Sequence, residues 1–439
     1  MSMFIFQLGN EGGGVEIPPL PDDDFLLPPA LLMPALVGLA VWLFGISILA
    51  YIFYPAFEII FQPPVSAKAQ TFQRPGQSNS GLMNDKKTKV LLSLIIPAYN
   101  EEERLIPMLE AAEKYLNSEN CSALEMLAQA AASATTTSTT STKISENNAT
   151  KEFYTKAVEW IVVDDGSKDK TCEVYESFVM KQFAKDSSIS SSNLQPQLVQ
   201  QMMRWTLCIL SQNSGKGAAV QAGMQMANGK YCLMVDADGA TDFGPGLEAV
   251  AQYASTHDFI FGSRSAAVEA MDNHDVDNTT TNNNMNTTTT TDVGVQRSWM
   301  RQCLQACFHA FVVLIVGNST VQDTQCGFKL FSGQTIVNAL FRGLHLHKWA
   351  FDTELFVRAQ QLNLRLKEVS VPWQEIDGSK LNTGPWNVLK VAVGMLRDMI
   401  CVRLCYTLGI WRTSTTVSTS SATREDEYVD NEGNFNDKK

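Results

Sequence analysis

Two carboxylates one residue apart, Asp236 and Asp238, directly follow an apolar run at residues 231–235. Hard divalent cations prefer oxygen ligands and are often shared with a phosphate-bearing partner. The end of a strand would hold both side chains at the rim of a sheet, where open α/β sheets bind their ligands. An isolated Asp-x-Asp is more often part of a solvated loop, so its interpretation depends on the motifs that precede it.

Three earlier apolar runs end in polar residues in the same way. They occupy residues 90–97, 160–163 and 206–210, and they lead into Tyr-Asn-Glu, Asp-Asp-Gly-Ser and Asn-Ser-Gly-Lys-Gly respectively. Continuous apolar strands that alternate with helical segments predict an α/β fold, Rossmann-like, with a mostly parallel sheet flanked by helices. One such turn is unremarkable, but four at strand ends indicate a shared site along one edge of the sheet.

Lys216 lies between two glycines where a helix is predicted to begin. Backbone N–H groups at a helix start, together with a lysine, suit a phosphate. The spacing is neither that of a Walker A loop nor that of a dinucleotide-binding fingerprint, which disfavours an NTPase. The alternative is a tight turn with a solvated lysine.

The motifs at residues 97–101, 163–167 and 236–238 resemble, in order and spacing, the family 2 glycosyltransferases of GT-A fold. A fuller set of motifs resembles the dolichyl-phosphate β-glucosyltransferases, which transfer glucose from UDP-glucose to a polyisoprenyl phosphate. That fuller set lies at residues 262–264, 323–331, 349–354 and 373–380. The resemblance covers about residues 90–410, with interruptions by insertions.

This resemblance implies an inverting transfer of glucose from UDP-glucose to dolichyl phosphate, for use in protein N-glycosylation. It implies that Asp236 and Asp238 hold Mg²⁺ or Mn²⁺, with Asp238 as the more direct ligand. Asp164 is alternatively a brace for its own loop. The residues expected to bind the nucleotide sugar are Pro97, Tyr99, Glu101, Val163, Asp164, Asp165, Lys216, Asp236 and Ala237.

The acceptor phosphate needs no protein base. A phosphate monoester with a second pKa near about 6 is already a nucleophile at pH 7. It needs cationic contacts instead, and guanidinium groups match phosphate in a bidentate geometry. We therefore expect Asp236, Asp238 and Arg264 to be the catalytic residues, although each arginine has an alternative as a surface ion pair. The residues assigned to the acceptor phosphate are Arg264, Arg297, Arg301 and, more weakly, Lys380.

Bulk composition excludes some classes of function. The net charge of −12 argues against general nucleic-acid binding, which depends on neutralising phosphates. Nine cysteines with no Cys-x-x-Cys spacing predict reduced thiols, without a disulfide framework or a zinc site.

The apolar run at residues 31–53 is long enough to span a bilayer core of about 30 Å. Acidic residues precede it, and no Lys or Arg occurs before Lys68. The positive-inside rule therefore predicts that the N-terminus lies outside the cell or in a lumen and that the remainder lies in the cytosol. With the resemblance, this predicts a single-pass signal-anchor in the endoplasmic reticulum membrane, with membrane lipid as a partner and the catalytic domain facing the cytosol.

Composition also predicts where the domain is interrupted. Segments 297–316 and 386–411 are expected to be helices, and whether they pack in the core or dip into the membrane is left open. The predicted parts are a luminal segment at 1–30, a transmembrane helix at 31–53, a linker at 63–88, a GT-A domain at 89–411 with low-complexity insertions at 118–155 and 267–293, and a tail at 412–439.

Two other functions compete with this interpretation. One is a dolichyl-phosphate mannosyltransferase that uses GDP-mannose, and the other is an inactive, membrane-anchored scaffold that binds nucleotide sugars. Residues 201–205 spell Gln-x-x-Arg-Trp, a signature of processive sugar polymerases, but the motif precedes the Asp-x-Asp pair rather than following it. We interpret that match as coincidence.

Overall fold

A computed structural model describes most of the chain. Arg297, Arg301, Lys380 and the predicted insertion at 267–293 lie outside the described residues. The chain forms two compact units, Met1–Phe53 and Tyr54–Lys439. The described residues are 29–61, 65–72, 90–118, 121–136, 157–188, 203–264, 315, 317, 321–374, 376 and 385–413.

The described residues include eight strands and nine helices. The strands are β1 (Ala67–Phe72), β2 (Leu92–Ala98), β3 (Val158–Asp164), β4 (Met203–Leu210), β5 (Tyr231–Val235), β6 (Phe259–Ser263), β7 (Phe328–Ser332) and β8 (Leu366–Ser370). The helices are α1 (Pro29–Phe61), α2 (Leu105–Leu116), α3 (Ser122–Thr136), α4 (Thr171–Ser188), α5 (Lys216–Met226), α6 (Phe243–Ala251), α7 (Gln334–Phe341), α8 (Phe351–Gln361) and α9 (Pro385–Thr407).

The strands form one sheet in the order β1-β4-β3-β2-β5-β7-β6-β8. The central run β4-β3-β2-β5 is parallel, as is the β6/β8 pair, whereas β1, β7 and their neighbours pair antiparallel. This confirms the predicted α/β class. The four strands with polar residues at their ends are the parallel ones, so those ends share one edge.

Helices cover both faces of the sheet. On one face α5 packs against β2 and β3, and a Cβ atom at Gly223 would overlap Ile95 and Val163. On the other face α2 and α3 both pack against α6, over a core that includes Leu94 and Phe328. The strands β2, β3 and β5 are buried along their whole length, which explains their unbroken apolar sequence.

The predicted membrane segment lies within α1. Within the part of the chain that the structure describes, Leu36–Glu58 is the one stretch of helix long and apolar enough to cross a membrane, with a mean hydropathy of 2.4. It is compatible with a membrane anchor by length and composition.

Two predicted irregular segments contain regular structure. Within the insertion at 118–155, α3 buries Leu124, Leu127 and Ala131, so the low-complexity interpretation is wrong for that part. These small and apolar side chains recur at helical spacing, which the neighbouring Thr/Ser tract concealed. Within the linker at 63–88, β1 is an edge strand, and the ring of Phe72 packs edge-on against Tyr175 with centroids 6.0 Å apart.

The predicted helix at 386–411 is observed as α9. Its second half is buried at Met399, Cys401 and Tyr406, whereas Leu389 and Val393 in its first half are exposed. The second half therefore belongs to the core. Of the other segment, 297–316, only Ile315 is described.

Candidate active site at the carboxyl edge of the sheet

The loops that follow β2 and β3 are fastened to each other. The backbone N of Asn100 donates to Oγ of Ser167 at 2.8 Å, and the N of Lys168 donates to Oδ1 of Asn100 at 2.7 Å. The N of Glu101 donates to Oγ1 of Thr171 at 2.7 Å. Asn100 has a φ of 53°, a left-handed conformation that asparagine tolerates better than most residues. The two motifs therefore form one rigid wall.

Asp164 and Asp165 are both buried. Asp165 accepts hydrogen bonds from the backbone N of Ser214 at 2.6 Å and of Gly215 at 2.8 Å, while Asp164 accepts one from Ser167 at 3.1 Å. Burial raises the pKa of Asp165, and its two N–H donors oppose the rise. Each carboxylate thus braces a loop. A contact of either with uridine stays a prediction.

Lys216 begins α5, and its Nζ atom lies 2.6 Å from Oδ1 of Asp236. Burial opposes the charge of the lysine, but Asp236 and Asp352 outweigh it and raise its pKa. Burial likewise opposes the charge of Asp236, but Lys216 and then Lys329 outweigh it and lower its pKa. Both groups are therefore charged at neutral pH. A Cβ atom at Gly327 would overlap the Asp236 carboxylate, so glycine leaves the room that this carboxylate occupies.

The side chains of Asp236 and Asp238 are exposed to a similar extent, 33% and 30%. Oδ1 of Asp238 accepts a hydrogen bond from the backbone N of Ala240 at 3.0 Å. Nη1 of Arg104 lies 3.9 Å from Oδ2 of Asp238. The same guanidinium binds both carboxylate oxygens of Glu101, at 2.8 and 2.7 Å. Sequence reasoning missed Arg104, although its place three residues after Glu101 is a usable signal.

Arg264 is paired with an acid that sequence reasoning left without a role. Its Nε and Nη2 atoms bind the two oxygens of Asp323 at 2.7 and 2.9 Å, and its guanidinium lies 5.6 Å from the ring centre of Trp373. The N of Asp323 donates to Glu368 at 2.9 Å. Burial opposes the ionisation of Asp323, but Arg264 outweighs it and lowers its pKa. The assignment of Arg264 to the acceptor phosphate remains a prediction.

A second buried ion pair lies behind Asp236. Nζ of Lys329 is 2.8 Å from Oδ1 of Asp352 and also donates to the carbonyl of Cys326. Burial raises the pKa of Asp352, and Lys329 opposes the rise. Both residues lie within the motifs at 323–331 and 349–354, but the sequence analysis predicted no role for them. A lysine inside the apolar strand β7 was the signal, because a buried lysine requires a partner.

The structure thus brings most of the predicted site residues close together. Pro97 pairs with Val163 in the sheet, Asp165 holds the turn before Lys216, and Lys216 holds Asp236. Arg264 contributes to the field at Asp236. Tyr99, Glu101 and Ala237 directly follow or flank the same strand ends.

The acidic pair fits a divalent cation whose other ligands come from a bound phosphate and from water. Among the described residues there is no group of three or more His, Cys, Asp or Glu side chains arranged to hold a metal ion alone. Two carboxylates are nevertheless a sufficient protein share for Mg²⁺, which keeps several waters and binds substrate phosphates. Asp238 is the better placed of the two as a ligand, because Asp236 is already paired with Lys216 at 2.6 Å, whereas the cation nearest Asp238 lies 3.9 Å away.

Comparison with known proteins identifies the family. Residues 145–308 match Glycosyl transferase family 2. A Dictyostelium discoideum protein named "Dolichyl-phosphate beta-glucosyltransferase" is 35% identical over 327 residues, which cover 74% of this chain and 77% of that protein. The Homo sapiens protein of the same name is 31% identical, over 75% and 79% of the two chains.

One similar solved structure is glucosyl-3-phosphoglycerate synthase from Mycobacterium tuberculosis, in complex with Mn²⁺, UDP and glucosyl-3-phosphoglycerate. Its TM-score is 0.37 and its sequence identity 13%, over 78% of this chain and 88% of that one. From the curated relatives, the chain belongs to the dolichyl-phosphate β-glucosyltransferases, within the family 2 glycosyltransferases of GT-A fold.

Proposed function

We propose that this chain transfers glucose from UDP-glucose to dolichyl phosphate with inversion, giving dolichyl β-D-glucosyl phosphate for protein N-glycosylation. The family supplies the reaction class. The observation that carries the donor side is the contact of 2.6 Å between Lys216 and Asp236. It brings a cation and the N-terminus of a helix to the first carboxylate of the Asp-x-Asp motif.

The leaving group of this reaction is a nucleoside diphosphate, on which negative charge builds in the transition state. The N-terminus of α5 offers positive potential and Lys216 a full charge, so both stabilise that diphosphate. Mg²⁺ or Mn²⁺ held by Asp236 and Asp238 would neutralise further charge on its oxygens. The wall formed by the loops after β2 and β3 then serves the uridine, with Pro97, Tyr99 and Glu101 on one side.

The acceptor phosphate is the nucleophile, so the protein has to orient it rather than deprotonate it. Arg264 can do so while it stays paired. A guanidinium carries five N–H donors, and Asp323 engages Nε and Nη2, which leaves Nη1 for a phosphate oxygen. Arg297, Arg301 and Lys380 are proposed as further contacts of the same phosphate.

We further propose that α1 anchors the chain in the endoplasmic reticulum membrane as a single span. The acidic residues before it and the basic residues after it support a luminal N-terminus and a cytosolic catalytic domain. The domain at 89–411 would then meet its lipid acceptor at the cytosolic face of the membrane.

The test uses membranes that contain the full chain, incubated with dolichyl phosphate and either radiolabelled UDP-glucose or radiolabelled GDP-mannose. We expect label in the lipid fraction from UDP-glucose alone. Label from GDP-mannose alone would establish a mannosyltransferase instead. No label from either donor, in membranes where the protein is folded, would favour an inactive binding scaffold.

A further inference from the structure

We infer that Glu354 is a positioning residue: it fixes residues 345–348, and this segment in turn fixes the start of α5 and holds Lys216 at the diphosphate of the donor. The inference rests on the proposed function for the identity of that donor. Glu354 lies in the first turn of α8, and among the described residues no hydrogen bond or ion pair joins it to Lys216 or Asp236.

Glu354 is fully buried and collects donors from three directions. The backbone N atoms of His345 and Leu346 donate to its carboxylate at 3.0 and 2.8 Å, and Nδ1 of His345 lies 2.8 Å from it. The hydroxyl of Tyr406, from α9, donates at 2.9 Å, and Nη1 of Arg358 lies 3.7 Å away. A carboxylate is the one side chain that accepts this many hydrogen bonds, since it has about four lone-pair sites.

The segment held by Glu354 packs directly against the beginning of α5. The carbonyl of His347 accepts from the N of Ala218 at 3.1 Å. A Cβ atom at Gly217 would lie 2.7 Å from the carbonyl oxygen of Leu346 and 2.9 Å from that of His347. A Cβ atom at Gly215 would lie 2.5 Å from the carbonyl oxygen of His347. The two backbones are therefore in close contact on either side of Lys216, and we expect a shift of the segment to move the lysine.

The far side of the segment is closed by other elements. The ring of His345 stacks on Trp411 with centroids 4.1 Å apart and planes 2° apart. Lys348 binds Glu58 at 3.1 Å. Because it is clamped between these groups and α5, the segment transmits the position set by Glu354. A misplacement of a charged group by about 1 Å is enough to cost about a hundred-fold in an enzyme.

A matched control exists at the opposite edge of the sheet. Glu159 is as deeply buried and accepts from Oγ of Ser93 at 2.7 Å and from the N of Asn228 at 2.9 Å. It has no contact with the segment or with α5 among the hydrogen bonds of the described residues. We therefore expect loss of its charge to destabilise the fold and to leave Lys216 in place.

The experiment uses the full chain in detergent with Mn²⁺ present. The affinity for UDP-glucose is measured by calorimetry, and the affinity for uridine is measured by competition with UDP-glucose. Glu354→Gln places an NH₂ group among donors. We expect it to lower the affinity for UDP-glucose about five- to ten-fold, the scale of a typical coupling between sites. The affinity for uridine should stay unchanged, because Lys216 contacts only the diphosphate. Glu159→Gln should lower the thermal midpoint comparably while both affinities stay at their wild-type values.

A second variant guards against misfolding of the first. Gly217→Ala keeps every charge and presses α5 away from the carbonyls of Leu346 and His347. It should show the same loss of affinity for UDP-glucose and keep the wild-type affinity for uridine. The inference would be overturned if both variants lost affinity equally for UDP-glucose and uridine, or if both kept wild-type affinities. It would also be overturned if Glu159→Gln showed the same selective loss of affinity for UDP-glucose.

Failure of the proposed function is visible separately, in the wild-type protein. If the wild type binds GDP-mannose and not UDP-glucose, the donor is wrong, and the role of Glu354 is then tested with GDP-mannose against guanosine. If it binds neither, Lys216 has no donor diphosphate to hold and the inference fails with the function.

Discussion

Arg264 directs two of its nitrogens at the two oxygens of Asp323, at 2.7 and 2.9 Å, in the fork geometry that guanidinium and carboxylate share. The pair joins the end of β6 to the loop that precedes β7. Asp323 therefore fixes the plane of the guanidinium, and with it the direction in which the remaining nitrogen points.

Replacement of Arg264 tests the division between donor and acceptor. Arg264→Ala should raise the apparent KM for dolichyl phosphate about ten- to a hundred-fold, the effect of one lost charge-assisted contact. Arg264→Lys should rescue it partly, because lysine keeps the charge without the planar fork. UDP-glucose binding, followed by calorimetry, should change little. Loss of UDP-glucose binding with an unchanged KM for the acceptor would move Arg264 to the donor site.

Asp238→Asn tests the cation. The change keeps the shape of the side chain and removes the charge of the better-placed ligand. We expect transfer to fall by more than about ten-fold, the lower bound seen even for outer-shell partners of a metal. In wild type, EDTA should abolish transfer and Mn²⁺ or Mg²⁺ should restore it. Full transfer in EDTA would remove the metal from the proposal, and an unchanged thermal midpoint controls for the fold.

Asp323 gives a prediction for pH. Its pKa is lower in the folded protein than in the unfolded chain, so it stabilises the fold above the unfolded value of about 3.9. That contribution is lost as pH falls below the unfolded value and through the folded one. The free energy of unfolding of wild type should exceed that of Asp323→Asn at pH 7, and the difference should shrink below about pH 4. A difference that is constant from pH 7 to pH 3 contradicts the assignment.

Topology can be tested in sealed microsomes. Protease added from outside should digest the catalytic domain, because the positive-inside rule places it in the cytosol. The formal acceptor sites for N-glycans at Asn148, Asn278, Asn286 and Asn318 should carry none. A shift in mobility after endoglycosidase treatment would reverse the proposed orientation.

Leu127→Ala tests the docking of α3. The side chain is fully buried in the core that α3 shares with α6. Its truncation should lower the free energy of unfolding by about 2–5 kcal/mol. Leu389→Ala, at an exposed position on α9, is the control and should change little. Equal, small effects of both changes would mean that α3 is not part of the folded domain in solution.

The strand ends were predictable because each buried strand is a continuous apolar run and parallel strands align their carboxyl ends. The position of Lys216 at the start of a helix was also predictable from local sequence, since its neighbouring glycines mark a helix start. The ion pairs of Arg264 with Asp323 and of Lys329 with Asp352 were not predictable, because folding rather than sequence spacing brings the partners together. Asp164 ends β3 and Asp165 follows it. Neighbouring residues of an extended chain point to opposite sides, and the sequence does not decide which of the two faces the site.

The edge strand β1 begins a few residues after the end of α1. Only residues 62–66 separate the end of α1 from the first residue of β1, and an extended chain of that length reaches on the order of 20 Å. With α1 as the anchor, the sheet is held on a short tether rather than on a long, free linker. If α1 is the anchor, we expect a tether of this length to keep the domain near the lipid headgroups, and lengthening it with inserted Gly/Ser residues should lower the effective concentration of the enzyme at a membrane-bound acceptor.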